Sequence, residues 1–133
     1  MITLNGKTQT ATQWACSIDV RPISKARPRF SRYGTYTPRK TLDYENLIAT
    51  RAKQAKAVCR ANPCSVTLTF TFLKPKKPKG FYCTINKDLD NLSKAVLDSL
   101  NGIAFIDDKQ VVELNSAKNY GDSDRVDIEI EYL

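Results

Sequence analysis

Hydrophobic and polar positions alternate most regularly over residues 65–73. There Val66, Leu68, Phe70 and Phe72 are interleaved with Thr67, Thr69 and Thr71. This period of two predicts a strand with one buried and one more polar face. Residues 125–132 repeat the pattern, with Val126, Ile128, Ile130 and Tyr132 alternating with Asp127, Glu129 and Glu131. Residues 111–120 read as a further strand, joined to it by a Gly-Asp-Ser-Asp turn. Residues 14–20 place Trp14, Cys16, Ile18 and Val20 on one face of a fourth. Two segments switch to helical spacing. Pro38 opens a stretch over roughly residues 39–61 with a narrow, Ala-lined face, and Asn62-Pro63 ends it. Leu89, Leu92, Val96 and Leu100 define a second helix over residues 89–100, stopped by Asn101-Gly102. Residues 21–40, dense in Arg, Pro and aromatics, read as an extended loop or short hairpin. Two prolines and four lysines make residues 74–80 a solvated loop. The order β-α-β-α-β-β predicts an α+β fold with a mixed sheet covered by two main helices.

At 133 residues the chain suits a single domain spanning residues 1–133. No apolar run is long enough to span a membrane and the first residues do not read as a secretory signal, so a cytoplasmic location without membrane association is expected. The four cysteines, Cys16, Cys59, Cys64 and Cys83, are expected as reduced structural thiols. The absence of histidine excludes Ser-His and Cys-His nucleophilic pairs and His-ligated zinc.

The net charge of +7 hides an asymmetry. Residues 1–87 carry 17 basic and 3 acidic side chains, a balance of +14; residues 88–133 carry 4 and 11, a balance of −7. A basic body suits a polyanion and a separate acidic cluster suits a cation. Within the acidic part Asp88 and Asp90 open the second helix, and Asp107 and Asp108 follow it. The residues after the helix can reach back about as far as the helix climbs, ~18 Å, so Asp107 or Asp108 can come back beside Asp88 and Asp90, and together they form the candidate metal site. Carboxylates that close resist joint ionisation unless a cation lies between them. An all-oxygen donor set selects a hard ion, Mg²⁺ or Mn²⁺, which can polarise a phosphodiester. Lys94, one turn after Asp90, could hold a phosphate oxygen or stabilise a leaving group. The structural alternative is an Asp90–Lys94 helix pair with Asp88 as an N-cap.

The element Asp88-Leu89-Asp90-Asn91-Leu92-Ser93-Lys94, followed by Asp98 and Leu100-Asn101-Gly102-Ile103, resembles the signature of the RusA family of Holliday junction resolvases. The match continues through Asp107-Asp108-Lys109-Gln110-Val111-Val112 and upstream through Lys25-Ala26-Arg27-Pro28-Arg29-Phe30, covering most of residues 20–130. The resemblance implies a homodimeric, Mg²⁺-dependent endonuclease that nicks paired strands of four-way DNA junctions. Its matching positions make Asp88, Asp90 and Asp108 metal-binding catalytic acids and Lys94 a catalytic lysine, with Asp107 a neighbouring acid. One departure is Lys87, which stands where many relatives have proline.

The expected DNA surface comprises Lys25, Arg27, Arg29 and Arg32, interleaved with Phe30, Tyr33 and Tyr36, and a second tract of Lys74, Lys76, Lys77 and Lys79, with Lys87 adjoining Asp88. Phosphate neutralisation would supply affinity. Whether the first three aromatics stack on bases or pack in the core stays open. Arg51, Lys53, Lys56 and Arg60 read as the solvated face of the first helix. Two rival readings remain: a non-catalytic basic DNA-binding protein and a metal-dependent enzyme acting on nucleotides.

Overall fold

The computed structural model describes residues 12–26 and 29–133, the side chain of Arg29 excepted. In chain order the elements are β1 (Gln13–Ile18), β2 (Arg29–Ser31), β3 (Gly34–Tyr36), α1 (Arg39–Gln54), β4 (Cys64–Leu73), α2 (Leu89–Leu100), a 3₁₀ turn (Asp108–Gln110), β5 (Val111–Gly121) and β6 (Arg125–Tyr132). The expected α+β architecture, with one mixed sheet and two helices, is observed. The sheet runs β1-β6-β4-β5; β4 is parallel to β5 and antiparallel to β6, which is antiparallel to β1. The segment read as loop or hairpin is a hairpin, β2–β3, whose two-residue turn is followed by Gly34 at φ +118°.

The alternation in β4 and β6 carries the core. Val66, Leu68, Phe70 and Phe72 interlock with Val126, Ile128, Ile130 and Tyr132 on one face of the sheet, all buried. The helices cover that face with Tyr44, Ile48 and Ala52 from α1 and Leu92, Ala95, Val96 and Leu100 from α2. Each large buried aliphatic side chain contributes about 1.5–3 kcal/mol relative to exposure. The opposite face is polar, and there the Asp127 carboxylate accepts hydrogen bonds from Ser17 and Arg125 while Glu113 accepts one from Ser65. All four cysteines are free thiols, with Cys64 and Cys83 buried. Burial pushes the Cys64 thiol up, and at Cys16 burial does the same with help from the Asp127 charge. Among the described residues no helix is long and apolar enough to cross a membrane.

Helix α1 ends at Gln54, seven residues before the expected limit. Lys56 takes the left-handed conformation, φ +65°. Its N–H donates to the Lys53 carbonyl at 2.9 Å and that of Ala57 to Ala52 at 3.1 Å. These two bonds form the Schellman stop that glycine usually provides. Trp14 of β1 secures the same end, its indole N–H donating to the Ala55 carbonyl at 2.9 Å. Arg60 consequently lies beyond the helix, with its guanidinium over the Tyr132 ring rather than on a solvated helical face. Because a side chain strains the left-handed region, Lys56→Gly should raise unfolding stability by about 0.5–1 kcal/mol in denaturant titration. A loss of stability would contradict the termination mechanism.

Candidate functional site

Asp88 stands at the N-cap of α2 and Asp90 in its first turn, both exposed. Neither performs the ordinary duty open to it. Among the described residues Asp88 makes no side-chain capping bond, and Asp90 accepts only the neighbouring Asn91 N–H at 3.0 Å. Lys94 turns away from Asp90 and pairs with Asp98, Nζ to Oδ1 at 3.0 Å. The Asp90–Lys94 helix pair of the structural alternative is therefore not formed, and a pair one turn later stands in its place.

Asp98 is bound on both oxygens. Its Oδ2 lies 3.1 Å from Lys25 Nζ, which also meets Glu45 Oε2 of α1 at 2.6 Å. Lys25 thus ties α1 to α2, and its backbone N–H donates to the Asn91 carbonyl at 3.0 Å. Burial alone would lower the pKa of Lys25, but its bonds to Glu45 and Asp98 outweigh that and raise it above the ordinary lysine value. Expected as a phosphate contact, this ammonium is instead committed to two carboxylates. Spacing in the sequence could not reveal this, because Glu45 and Asp98 are 20 and 73 positions away.

Asp107 and Asp108 lie at the other end of α2. The chain turns back immediately after the helix: Gly102, φ +78°, donates to the Phe105 carbonyl at 2.7 Å, and Phe105 is fully buried. Gln110 then clamps the 3₁₀ turn. Its side-chain oxygen accepts the N–H groups of Ile106 and Asp107 at 2.9 and 3.1 Å, and its nitrogen donates to the carbonyls of Arg60 and Asn62 at 2.9 and 2.8 Å. Asp107 forms a capping box with Gln110, and its carboxylate also accepts the Lys109 N–H at 2.9 Å. Asp108, half-buried, keeps a carboxylate without a hydrogen bond or ion pair among the described residues.

The opposite end of α2 is fixed beside the far part of β5. Ser93 and Ser116 share a hydrogen bond of 2.7 Å, and Lys118 Nζ donates to the Ile85 and Lys87 carbonyls at 3.0 and 2.9 Å. Helix and strand run antiparallel, and the helix climbs ~18 Å from Asp88 to Leu100. The expected return of Asp107 or Asp108 to Asp88 and Asp90 within one chain does not occur. Sufficient reach existed, but Phe105 and Gln110 anchor the connection at the helix C-terminus. Among the described residues no group of three or more acidic or thiol side chains is gathered to hold a metal.

The basic segments border the Asp88 end. The loop bearing Lys74, Lys76, Lys77 and Lys79, all exposed, runs directly into half-buried Lys87 and then Asp88. Hairpin β2–β3 follows shortly after Lys25, which is bonded to the first turn of α2. Its aromatics are not core residues of this chain: Phe30, Tyr33 and Tyr36 are exposed, with Arg32 over the Tyr33 ring. Arg27 and the side chain of Arg29 lie outside the described residues. Beside the lysine tract Phe81 and Tyr82 are exposed as well, and their place next to a basic loop is the sequence signal that marks them.

Residues 19–131 match the family model described as Endodeoxyribonuclease RusA. The chain belongs to the RusA endodeoxyribonuclease family. It is also similar to the uncharacterised protein YqaN of Bacillus subtilis (strain 168), 32% identical over 127 residues that cover 82% of this chain and 89% of that protein. The family match contains both acidic pairs, Lys94 and the Gln110 clamp.

The Gln110 clamp should hold the RusA-like acidic turn in place. Gln110→Ala removes four hydrogen bonds and should cost about 2 kcal/mol in unfolding stability, with hydrogen exchange accelerated at residues 106–110. Unchanged exchange there would show that the turn is held by other contacts.

Proposed function

We propose that this protein is a Mg²⁺-dependent endonuclease that resolves four-way DNA junctions by paired nicks, acting as a homodimer. The reading is carried by the free carboxylates of Asp88 and Asp108, released from capping and pairing duties in a chain of the RusA family. The donor chemistry fits a hard divalent ion, since Asp88, Asp90 and Asp108 offer only oxygen and no described cation pairs with them. When bound, such an ion supplies Lewis-acid polarisation of the phosphodiester and activation of water.

Two copies would solve the separation of the acids. Strand β5 is a sheet edge, and Val112 and Leu114 on it are exposed. Antiparallel pairing of two β5 edges about a two-fold near Leu114 would set the start of one strand beside the Ser116–Lys118 region of the other. Asp108 of one copy would then approach Asp88 and Asp90 of its partner, with Asp107 retained as the cap that shapes the turn. A two-fold also matches two symmetry-related strands in a junction. Lys94 would hold a non-bridging phosphate oxygen or stabilise the departing alkoxide, exchanging its contact with Asp98 for the substrate. Arg32, Lys74, Lys76, Lys77, Lys79 and Lys87 would neutralise phosphates of the arms.

Asp90→Asn should abolish junction cleavage in Mg²⁺ while leaving junction binding equal or tighter, because it removes one ligand and one negative charge. Cleavage and binding assays on a four-way junction read both. Retained nicking would refute the assignment of Asp90; binding without cleavage by the unmodified protein in any divalent ion would favour the non-catalytic reading.

A further inference from the structure

Phe81 and Tyr82 are 88% and 79% exposed, an arrangement with no hydrophobic benefit to this chain. Their rings meet edge to face, 5.2 Å between centroids and 87° between planes. The ring presenting its edge therefore keeps both faces open to another flat group. Behind them lies a recess of about 210 Å³, walled also by Lys74, Lys118, Asn119 and Tyr120. That volume corresponds to roughly seven waters at their liquid share, space for one base ring and too little for a base pair.

The chemistry of the walls is mixed in a way that matches a nucleotide. The aromatics offer stacking, Asn119 offers both a donor and an acceptor to a base edge, and Lys74 offers a cation to the attached phosphate. The recess is also tied to the acidic end of α2. The Lys118 ammonium that forms part of its wall is bonded to the carbonyls of Ile85 and Lys87, the latter immediately before Asp88. A base held there would place its strand next to Asp88 and Asp90.

We infer that this recess captures one unstacked nucleobase at the branch of the DNA, giving the protein its preference for distorted over continuous duplex. The inference rests on the junction-nuclease reading and names the structural feature by which that substrate is selected. A paired base in a continuous helix is stacked on both faces and cannot enter, whereas a branch point supplies bases already partly released.

Its test is the Phe81→Ala/Tyr82→Ala double variant, compared with the unmodified protein on a four-way junction and on a continuous duplex. Binding is measured in EDTA, so that no cleavage intervenes, and circular dichroism verifies the fold. Stacking losses predict junction affinity about ten-fold weaker or more, duplex affinity within about two-fold, and recovery by Phe81→Trp/Tyr82→Trp. Equal losses on both DNAs, or no loss on the junction, would overturn the inference. Parallel reactions of the unmodified protein in Mg²⁺ separate the two claims. Junction cleavage without selective loss in the double variant overturns the base pocket alone; failure to bind and cut the junction overturns the nuclease reading.

Discussion

The crossover from β4 through α2 to β5 governs the rest of the molecule. Leu92, Val96 and Leu100 bury one side of the helix against the sheet, and parallel pairing of β4 with β5 requires the chain to travel back along the helix before it can re-enter the sheet. Both acidic elements are attached to this rigid unit, one at each end of α2. Their separation is a property of the core and not of a loop that could close. A chemistry needing all the acids together must then draw them from two copies, and the free β5 edge offers a place for that association.

The electrostatics follow from the same placement. Asp98, partly buried, receives two lysines, which joins α1, α2 and the segment leading to the hairpin. Asp88 is left to solvent, where an unpaired carboxylate costs little, and half-buried Asp108 is likewise unpaired among the described residues. The cost would arise when a polyanion approaches, since phosphate and carboxylate repel without a cation between them. In the proposed reading the +14 balance of residues 1–87 would draw DNA in, while the free acids would make productive contact dependent on the ion. The remaining acidic excess has another use: Asp127 and Glu113 bond to hydroxyls on the polar face of the sheet.

Elements with a strict period were legible in the sequence. The alternation of β4 and β6 and the apolar spacing of α2 are consequences of one-sided burial, and each appears as read. The end of α1 was not legible, because Lys56 adopts a conformation whose usual marker is glycine. The Asp88 and Asp90 neighbourhood was visible as a motif, yet its relation to Asp107 and Asp108 was not. Chain length sets only the maximum reach; the anchors that oppose return, Phe105 buried and Gln110 bonded to Arg60 and Asn62, are contacts between distant residues. The ion pairs of Lys25 were not legible for the same reason, its two acidic partners being brought to it by helix packing. The hairpin aromatics Phe30, Tyr33 and Tyr36 were not legible as core or surface, because it is the packing of distant elements that completes the core without them.

A dimer whose two sites each combine Asp90 from one copy with Asp108 from the other has a distinctive response to subunit mixing. Asp90→Asn and Asp108→Asn proteins should each be inactive alone. In the mixed dimer both lesions fall in one site and the other site regains its full acid set. Mixing the two inactive proteins and measuring junction nicking in Mg²⁺ tests this directly. Recovery of single-strand nicking on mixing is the predicted result; continued inactivity, with mixed dimers shown to form, would contradict the shared-site account.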